Sequence, residues 1–190
     1  MKYKVTFLLV AFLGAVIDIL TKYWAWSAIP DGGSISVISG VLALRKTTNT
    51  GIIFGAFQGF GDIFLIVSIA AVPIIVAVFL LAKKGSWLFT ISLGLILSGA
   101  FGNMFDRIFE KGVRDFIDFY IIRWPVFNLA DSFICIGASL LFIYLFFIER
   151  EEKSSESGSG GCCAITQGQA QSGKETPLNY SDKETFPKGS

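Results

Sequence analysis

The sequence contains no histidine among its 190 residues and only three cysteines. Without histidine, a Ser-His-Asp or Cys-His nucleophilic site and any histidine-ligated metal are excluded. Cys135 lies in an apolar run, and Cys162 and Cys163 are neighbours in a polar segment, so their spacing fits neither a zinc site nor a disulfide framework. Catalysis would have to rest on Asp, Glu, Lys, Arg or Ser side chains, and we expect no metal and no other cofactor.

Charged residues are also scarce. They make up 16% of the chain, where a soluble domain carries about 25%. The formal net charge of +1 lacks the clustered basic face that nucleic-acid binding requires, so we expect no nucleic-acid partner. Hydrophobic residues reach 53%, with 19 Phe, and they are gathered in long blocks, which indicates an integral membrane protein.

Four apolar segments have the length of about 20 residues that a helix needs to cross a bilayer. They cover approximately residues 5–26, 63–82, 87–105 and 125–148. Between the first two, the loosely alternating run 35–44 predicts a short sheet on the membrane surface. We therefore predict an all-α integral membrane domain with four transmembrane helices over residues 1–150.

Four spans place both termini on one side of the membrane. The basic residues that flank the spans on that side are Lys2, Lys4, Lys83, Lys84, Arg150 and Lys153. The positive-inside rule makes this side cytoplasmic, although the other side also carries basic residues. Residues 151–190 are polar and predict a disordered cytoplasmic tail, in which we interpret Cys162 and Cys163 as an inactive pair, lipidation being the alternative.

Ionisable groups inside spans are energetically costly, which makes them functional candidates. Asp18 and Lys22 lie one turn apart in the first span, either as an ion pair that anchors the helix or as a pair that holds substrate or loops. Asn103 and Arg107 lie one turn apart at the end of the third span. We interpret Asp106 as structural and hydrogen-bonded near Arg107.

Two further carboxyl groups fall toward the same membrane face. Asp115 lies in an amphipathic stretch after the third span, and Asp131 lies about two turns inside the fourth. Two carboxyl groups held close together cannot both ionise, so one acts as a base toward water while the other keeps its proton. Such a pair hydrolyses a peptide bond without metal, His or Cys.

Five stretches, in family order, resemble the lipoprotein signal peptidases (signal peptidase II). They are Asp18-x-x-x-Lys22, Asn49-Thr50-Gly51-x-x-Phe54, Gly99-x-x-Gly102-Asn103-x-x-Asp106-Arg107, Val113-x-Asp115-Phe116 and Phe127-Asn128-x-Ala130-Asp131. Each stretch alone is weak, but the ordered set is highly specific and covers roughly residues 1–150.

The resemblance implies an aspartic endopeptidase of the bacterial cytoplasmic (inner) membrane that removes signal peptides from diacylglyceryl-modified prolipoproteins, cutting before the lipidated Cys. It makes Asp115 and Asp131 the catalytic pair and implies a small extracytoplasmic β-cradle after the first span, with the active site on that face. Membrane lipid and globomycin-type inhibitors are further implied partners. The positions implied to bind substrate or support the site are Asp18, Lys22, Asn49, Gly51, Phe54, Asn103, Arg107, Asn128 and Ala130.

Two features depart from the family pattern. Ile52 and Ile53 stand where the family usually has two Ala, and bulkier groups there would reshape the pocket or its affinity for inhibitors. Asp118 follows Asp115 by three residues. We assign Asp115 because the Val-x-Asp-Phe match places it, and we interpret Asp118 as an outer-loop charge.

Other hypotheses explain less of the sequence. A proton-coupled carrier using Asp18, Lys22 and Asp131 needs access from both faces, yet the charges gather at one face and no inverted repeat is visible. A scaffold protein leaves the Asn and Asp positions unexplained. In a Ser-Lys peptidase using Ser132, Lys22 would be a poor base because its pairing with Asp18 keeps it protonated.

Overall fold

The structure, a computed structural model, describes residues 1–50, 61–82 and 86–148. Four helices and three strands make up this part of the chain. In chain order they are α1 (Lys2–Ala28), β1 (Ser34–Ile38), β2 (Leu42–Asn49), α2 (Gly61–Leu81), α3 (Trp87–Phe109), β3 (Val113–Asp118) and α4 (Leu129–Ile143). A 3₁₀ turn, Tyr120–Ile122, precedes α4, and a π-helical turn, Tyr144–Ile148, continues it.

The helices carry apolar side chains outward and polar side chains inward. On α1, Leu8, Phe12 and Leu20 are all more than half exposed, whereas Asp18 and Lys22 are completely buried. A soluble protein has the opposite arrangement, with ionised side chains outside. The arrangement here fits helices whose outer surface faces lipid.

Three helices in the described part are long and apolar enough to cross a membrane, namely Lys2–Ala28, Trp87–Phe109 and Leu129–Phe147. The second predicted span corresponds to α2, whose apolar stretch Leu65–Leu81 is shorter. The prediction of a mainly helical membrane fold is therefore confirmed, while the total of four spans stays a prediction.

The helix α3 packs against α1, α2 and α4. Two of its glycines allow this close packing. A Cβ atom at Gly102 would overlap the carboxylate of Asp18 on α1, and one at Gly99 would overlap the carbonyl oxygen of Ala130 on α4. Small residues at helix contacts let backbones approach closely, and here they bring polar groups of three helices together.

A three-stranded antiparallel sheet lies beside the helices, in the order β1-β2-β3. The small sheet predicted around residues 35–44 is therefore confirmed, but the prediction missed β3, which was interpreted as an amphipathic interfacial stretch. All five residues of β1 are exposed, whereas β3 is largely buried because it lies between β2 and the helices. Thr47 of β2 pairs with Asp115 of β3, so the sheet sets the position of Asp115.

The fourth predicted span began too early. Residues 125–128 are not helical, because Phe127 pairs with Ile117 of β3 through backbone hydrogen bonds of 2.8 and 3.1 Å. Asn128 is then the N-cap of α4, and Asp131 is the third residue of that helix. The prediction that Asp131 lies two turns deep is therefore wrong. It lies in the first turn and is half-buried.

Candidate active site

The strand β3 holds the side chain of Asp115 in the interior, where the residue is only 2% exposed. Both of its carboxyl oxygens accept hydrogen bonds from amide side chains. Asn49, at the end of β2, donates from Nδ2 to Oδ2 at 3.1 Å, and Asn128 donates from Nδ2 to Oδ1 at 2.6 Å. The carboxyl group of Asp115 is thus fixed from the sheet on one side and from α4 on the other.

The N-terminus of α4 holds Asp131 through a capping box. The backbone N–H of Asp131 donates to Asn128 Oδ1 at 3.0 Å, and the backbone N–H of Asn128 donates to Asp131 Oδ2 at 3.3 Å. This reciprocal pair satisfies two N–H groups that a helix start would otherwise leave open. Because Asn128 Oδ1 is engaged by the helix, its Nδ2 points toward Asp115.

Asn103 on α3 binds Asp131 directly and is connected to Asp115 through Asn128. Its Nδ2 donates to Asp131 Oδ1 at 2.8 Å, and its Oδ1 accepts from Asn128 Nδ2 at 3.2 Å. One turn later, Arg107 donates from Nη1 to Ser68 Oγ on α2 and to the carbonyl oxygen of Asn103, both at 3.3 Å. The amide and guanidinium groups of α3 therefore lie against the site together.

Four buried charged side chains form an ion cluster under these groups: Asp18, Lys22, Asp106 and Arg114. Lys22 Nζ lies 2.7 Å from Asp18 Oδ2 and 3.3 Å from Asp106 Oδ2. Arg114 binds Asp106 Oδ1 through Nε at 3.1 Å and Nη2 at 2.7 Å. Asp18 Oδ1 also accepts from the backbone N–H of Ala130 at 2.8 Å, so the ion cluster joins α1, α3, β3 and α4.

This cluster corrects two interpretations made from the sequence. Asp106 is structural, as expected, but its side chain pairs with Lys22 and Arg114. Asp118 is not an outer-loop charge, because it ends β3, is 8% exposed and pairs with Arg45 Nε at 3.2 Å. Its ion pair lies on the sheet, away from the residues that surround Asp115.

A cavity of about 480 Å³ opens beside both carboxyl groups. The polar residues that line it are Asn49, Asn103, Arg107, Asp115, Asp131 and Ser132. The apolar residues that line it are Val113, Trp124, Pro125, Val126, Phe127, Ile134, Cys135 and Ile136. One wall is therefore suited to a polar reacting group, and the rest is suited to an apolar chain.

The environment of Asp115 favours its protonated form. Burial raises the pKa of Asp115 to about 7, and the nearby charge of Asp131 acts in the same direction. The hydrogen bonds from Asn49 and Asn128 oppose this rise, because they stabilise the ionised carboxylate. Two carboxyl groups with unlike surroundings on one cavity form the pattern required for paired acid and base catalysis.

Sequence comparison identifies the group of proteins to which these features belong. The family model described as "Signal peptidase (SPase) II" matches residues 10–147 of the chain. The chain belongs to the signal peptidase II family. A lipoprotein signal peptidase of Anoxybacillus flavithermus is 38% identical over 153 residues, which cover 80% of this chain and 91% of that protein. Another, of Bacillus velezensis, is 40% identical over 147 residues, covering 76% of this chain and 96% of that protein. The predicted enzyme class, a membrane peptidase, is confirmed.

Two solved structures, each described as a bacterial membrane enzyme, share the fold of this signal peptidase II family member. One matches with a TM-score of 0.69 at 27% identity and covers 90% of this chain and 94% of its own. The other matches with a TM-score of 0.68 at 31% identity and covers 75% of this chain and 94% of its own. These matches do not favour the carrier hypothesis.

Most of the positions that resemble the signal peptidase II motifs come together around the cavity. Five of them line it, namely Asn49, Asn103, Arg107, Asp115 and Asp131. Four others are completely buried behind these, namely Asp18, Lys22, Asn128 and Ala130. Gly51 and Phe54, together with Ile52 and Ile53, lie outside the described residues. Within the described ranges, no group of three or more Cys, Asp or Glu side chains is arranged to hold a metal ion.

Two residues near the site were missed by the sequence interpretation. Arg114 occupies the variable position of the Val-x-Asp-Phe stretch. It is the one basic residue in a strand of apolar and acidic residues, which could have indicated a buried ion pair. Ser68 is a polar residue within the apolar helix α2, and it accepts from Arg107. A serine within an apolar helix is common, so no sequence signal distinguished Ser68.

Proposed function

We propose that this chain is an aspartic endopeptidase that removes signal peptides from prolipoproteins, with Asp115 and Asp131 as its catalytic pair. The observation that carries the proposal is that both carboxyl groups line one cavity, each held by hydrogen bonds from asparagines on neighbouring elements. The relatives named above are lipoprotein signal peptidases, which supports this substrate class.

The balance of buried charge supports a single shared proton. In the ion cluster, the two buried carboxylates face two buried cations, so the buried groups balance. Glu110 also pairs with Arg114 at 3.3 Å, but its side chain is 37% exposed and solvated. Arg107 remains, beside Asp115 and Asp131. If both of these were ionised, the site would carry one uncompensated negative charge in a poorly solvated environment, which is costly. One proton on the pair makes the whole site neutral.

Asp115 is the member of the pair that keeps the proton, because burial raises its pKa to about 7. Asp131 then acts as the base, taking a proton from a water molecule in the cavity while that water attacks the peptide carbonyl carbon. Asp115 donates a hydrogen bond to the carbonyl oxygen and polarises it. Collapse of the tetrahedral intermediate breaks the C–N bond, and a proton from the pair goes to the leaving amine.

The apolar lining of the cavity supports a lipidated substrate. Trp124, Val126, Ile134 and Ile136 offer a surface for acyl chains next to the carboxyl pair. We place the cut before the diacylglyceryl-modified Cys, so that lipid-facing groups stay in the bilayer while the scissile bond reaches the site. Globomycin-type inhibitors would occupy the same cavity.

We further propose that the enzyme crosses the bacterial cytoplasmic membrane four times, with α2 as the second span. Both termini are then cytoplasmic, and the sheet and the cavity face the extracytoplasmic side. Residues 1–150 form the peptidase domain, and residues 151–190 form a cytoplasmic tail that cleavage does not require.

Cleavage of a lipidated prolipoprotein peptide by the purified full chain tests the proposal. We expect one cut before the lipidated Cys, blocked by globomycin. Asp115→Asn and Asp131→Asn each remove half of the acid–base pair and should lower kcat by about 10²- to 10⁴-fold. Asp118→Asn is the matched control, because its carboxyl group pairs with Arg45 instead, and it should keep most activity. An active Asp115→Asn enzyme with an inactive Asp118→Asn enzyme would contradict the assignment.

A further inference from the structure

Lys22 belongs to the ion cluster and also contacts Asn103, one of the asparagines around the catalytic pair. Its ammonium group is completely buried and lies 2.7 Å from Asp18 Oδ2 and 3.3 Å from Asp106 Oδ2. It also donates to Asn103 Oδ1 at 3.1 Å. An ammonium group has three N–H donors and no acceptor. The contact with Asn103 is a hydrogen bond, and the contacts with the two carboxylates are ion pairs.

The contact with Asn103 decides which way that amide faces. The amide group of an asparagine can rotate by 180° about the Cβ–Cγ bond, which exchanges its oxygen and its NH₂ group with little change in shape. Here Oδ1 faces Lys22 Nζ and Asn128 Nδ2, while Nδ2 faces Asp131 Oδ1 at 2.8 Å. The turned amide would point its NH₂ group at an ammonium and at a second NH₂ group. It would also point its oxygen at the carboxylate of Asp131.

Lys22 makes the turned orientation unfavourable, because a buried cation that only donates cannot accept an NH₂ group. Asn128 adds to the same preference, since its own Oδ1 is held by the backbone N–H of Asp131 and only its Nδ2 can face Asn103. A hydrophobic residue at position 22 would leave Asn103 Oδ1 without its cationic donor.

We propose that Lys22 is a positioning residue for the hydrolysis, acting by fixing the amide of Asn103 so that its NH₂ group donates to Asp131. This inference rests on the proposed function, which makes Asp131 the base. With Asp131 Oδ1 held by Asn103 and Oδ2 held by the backbone N–H of Asn128, the carboxylate keeps one orientation toward the cavity. The role goes beyond neutralising Asp18 and Asp106, which is what an anchoring ion pair would do.

A double variant separates the two roles of Lys22, namely orienting the Asn103 amide and neutralising the charges of Asp18 and Asp106. Asp18→Asn combined with Lys22→Met removes one charge of each sign, so the balance of the buried cluster is kept, while Asp106 retains Arg114. If Lys22 only anchors the helix, the balanced variant that folds should have the kcat of the wild type. The positioning role predicts that kcat falls roughly tenfold to a hundredfold, as for a misplaced reacting group, while KM stays within about twofold and thermal stability in detergent is kept.

A spectroscopic readout follows the amide itself. The sequence contains only four asparagines, Asn49, Asn103, Asn128 and Asn179, so a sample labelled with ¹⁵N-asparagine gives four pairs of side-chain NH₂ signals. In the balanced double variant, we expect the Asn103 pair to shift or broaden, because Lys22 no longer fixes its orientation and only Asn128 still favours it. An unchanged Asn103 pair, or a shifted pair with unchanged kcat, would overturn the proposal.

A second variant keeps the test decisive if the double variant does not insert. Asn103→Leu has nearly the same size but cannot donate to Asp131, and it also loses the oxygen that accepts from Lys22 and Asn128. We expect a folded enzyme with kcat lowered at least roughly tenfold. Retained kcat in this variant would show that donation from Asn103 to Asp131 is irrelevant, and the proposal would be wrong. A wild-type chain that cleaves no prolipoprotein peptide would instead contradict the proposed function, since the Asn103 signals report on Lys22 independently.

Discussion

Asp115 and Asp131 are held by different kinds of donor. Among the described residues, Asp115 accepts from the side-chain amides of Asn49 and Asn128. Asp131 accepts from the amide of Asn103 and from a backbone N–H of its own helix turn. Asp115 is also the more deeply buried of the two. Different surroundings give two neighbouring carboxyl groups different tendencies to keep a proton. The pH dependence of cleavage measures this difference.

The pH dependence of cleavage reports on Asp115. Because burial raises the pKa of Asp115 to about 7, kcat/KM should fall as pH rises through that value and the proton is lost. Asn49→Ala removes a donor that stabilises the ionised form, so the pKa of Asp115 rises and the alkaline limb moves to higher pH. The pH–rate profile of Asp118→Asn should match the wild type. A limb that moves to lower pH in Asn49→Ala contradicts this account.

Cys135 can be used to probe the cavity. It lies one turn after Asp131 on α4, is exposed, and lines the cavity wall. A bulky, membrane-permeant maleimide attached to its sulfur should occlude the cavity and stop cleavage, although the chemistry uses no thiol. Cys135→Ser should keep most activity and resist the reagent. The matched control, Cys162→Ser with Cys163→Ser, should still be inhibited; resistance in that control would assign the effect to the tail instead.

At the residue scale, the motif spacings predicted which side chains gather but not how they face. The stretches containing Asn103, Asp115, Asn128 and Asp131 match the family order, and the structure brings these residues together. The direction of each amide depends on donors from distant parts of the chain, such as Lys22 on α1. Residue spacing carries no information about such three-dimensional partners.

At the scale of elements, β3 connects the sheet to the helices. The backbone N–H of Arg114 donates to Asp106 Oδ2 at 2.9 Å, and its guanidinium group binds Asp106 Oδ1. The same guanidinium group lies 4.3 Å from the centre of the Tyr23 ring on α1. One side chain therefore ties the strand that carries Asp115 to both α1 and α3.

Arg114→Met should loosen this connection. It removes two hydrogen bonds from the guanidinium group to Asp106 Oδ1, while Asp106 keeps Lys22 and a backbone N–H. The loss should cost about 1.5–3 kcal/mol of unfolding free energy, and it should lower kcat because Asp115 loses its support. Arg45→Met is the matched control, since Arg45 is half exposed and its pair with Asp118 is worth at most about 1 kcal/mol. Denaturation in detergent measures both. Equal, small losses in the two variants would show that Arg114 does not brace the strand.

The strand β3 could not be predicted from the sequence because its signal is not local. It is a six-residue segment whose partner, β2, lies far earlier in the chain, beyond α2 and α3. The start of α4 was misplaced for a related reason. Apolar residues 125–127 continue the pattern of the span, but the pairing of Phe127 with Ile117 holds them in extended conformation. Hydropathy identifies apolar segments and does not identify their pairing partners.

At the scale of the whole molecule, the topology decides which compartment the site serves. Ser36 on β1 and Lys4 at the start of α1 are both exposed. In a background with the native cysteines replaced by serine, Ser36→Cys should react with a membrane-impermeant thiol reagent added outside intact cells. Lys4→Cys should react only after the membrane is opened. The reverse pattern would overturn the proposed orientation and the extracytoplasmic placement of the cavity.

The tail gives a second prediction at this scale. Residues 154–190 are rich in Ser, Gly, Lys, Glu and Gln and have too few apolar residues to build a core, so truncation after Lys153 should leave kcat and insertion unchanged. Cleavage of the lipidated peptide and membrane fractionation measure the two properties. A truncated chain that inserts normally but no longer cleaves would show that the tail takes part in function.

The capping box of α4 has a consequence for when this protease becomes active. Asn128 begins the helix with its side-chain oxygen and holds Asp115 with its side-chain nitrogen, so the same residue that starts α4 also brings the two proposed catalytic carboxyl groups together. A chain whose α4 has not yet formed would therefore lack the proposed hydrolytic site.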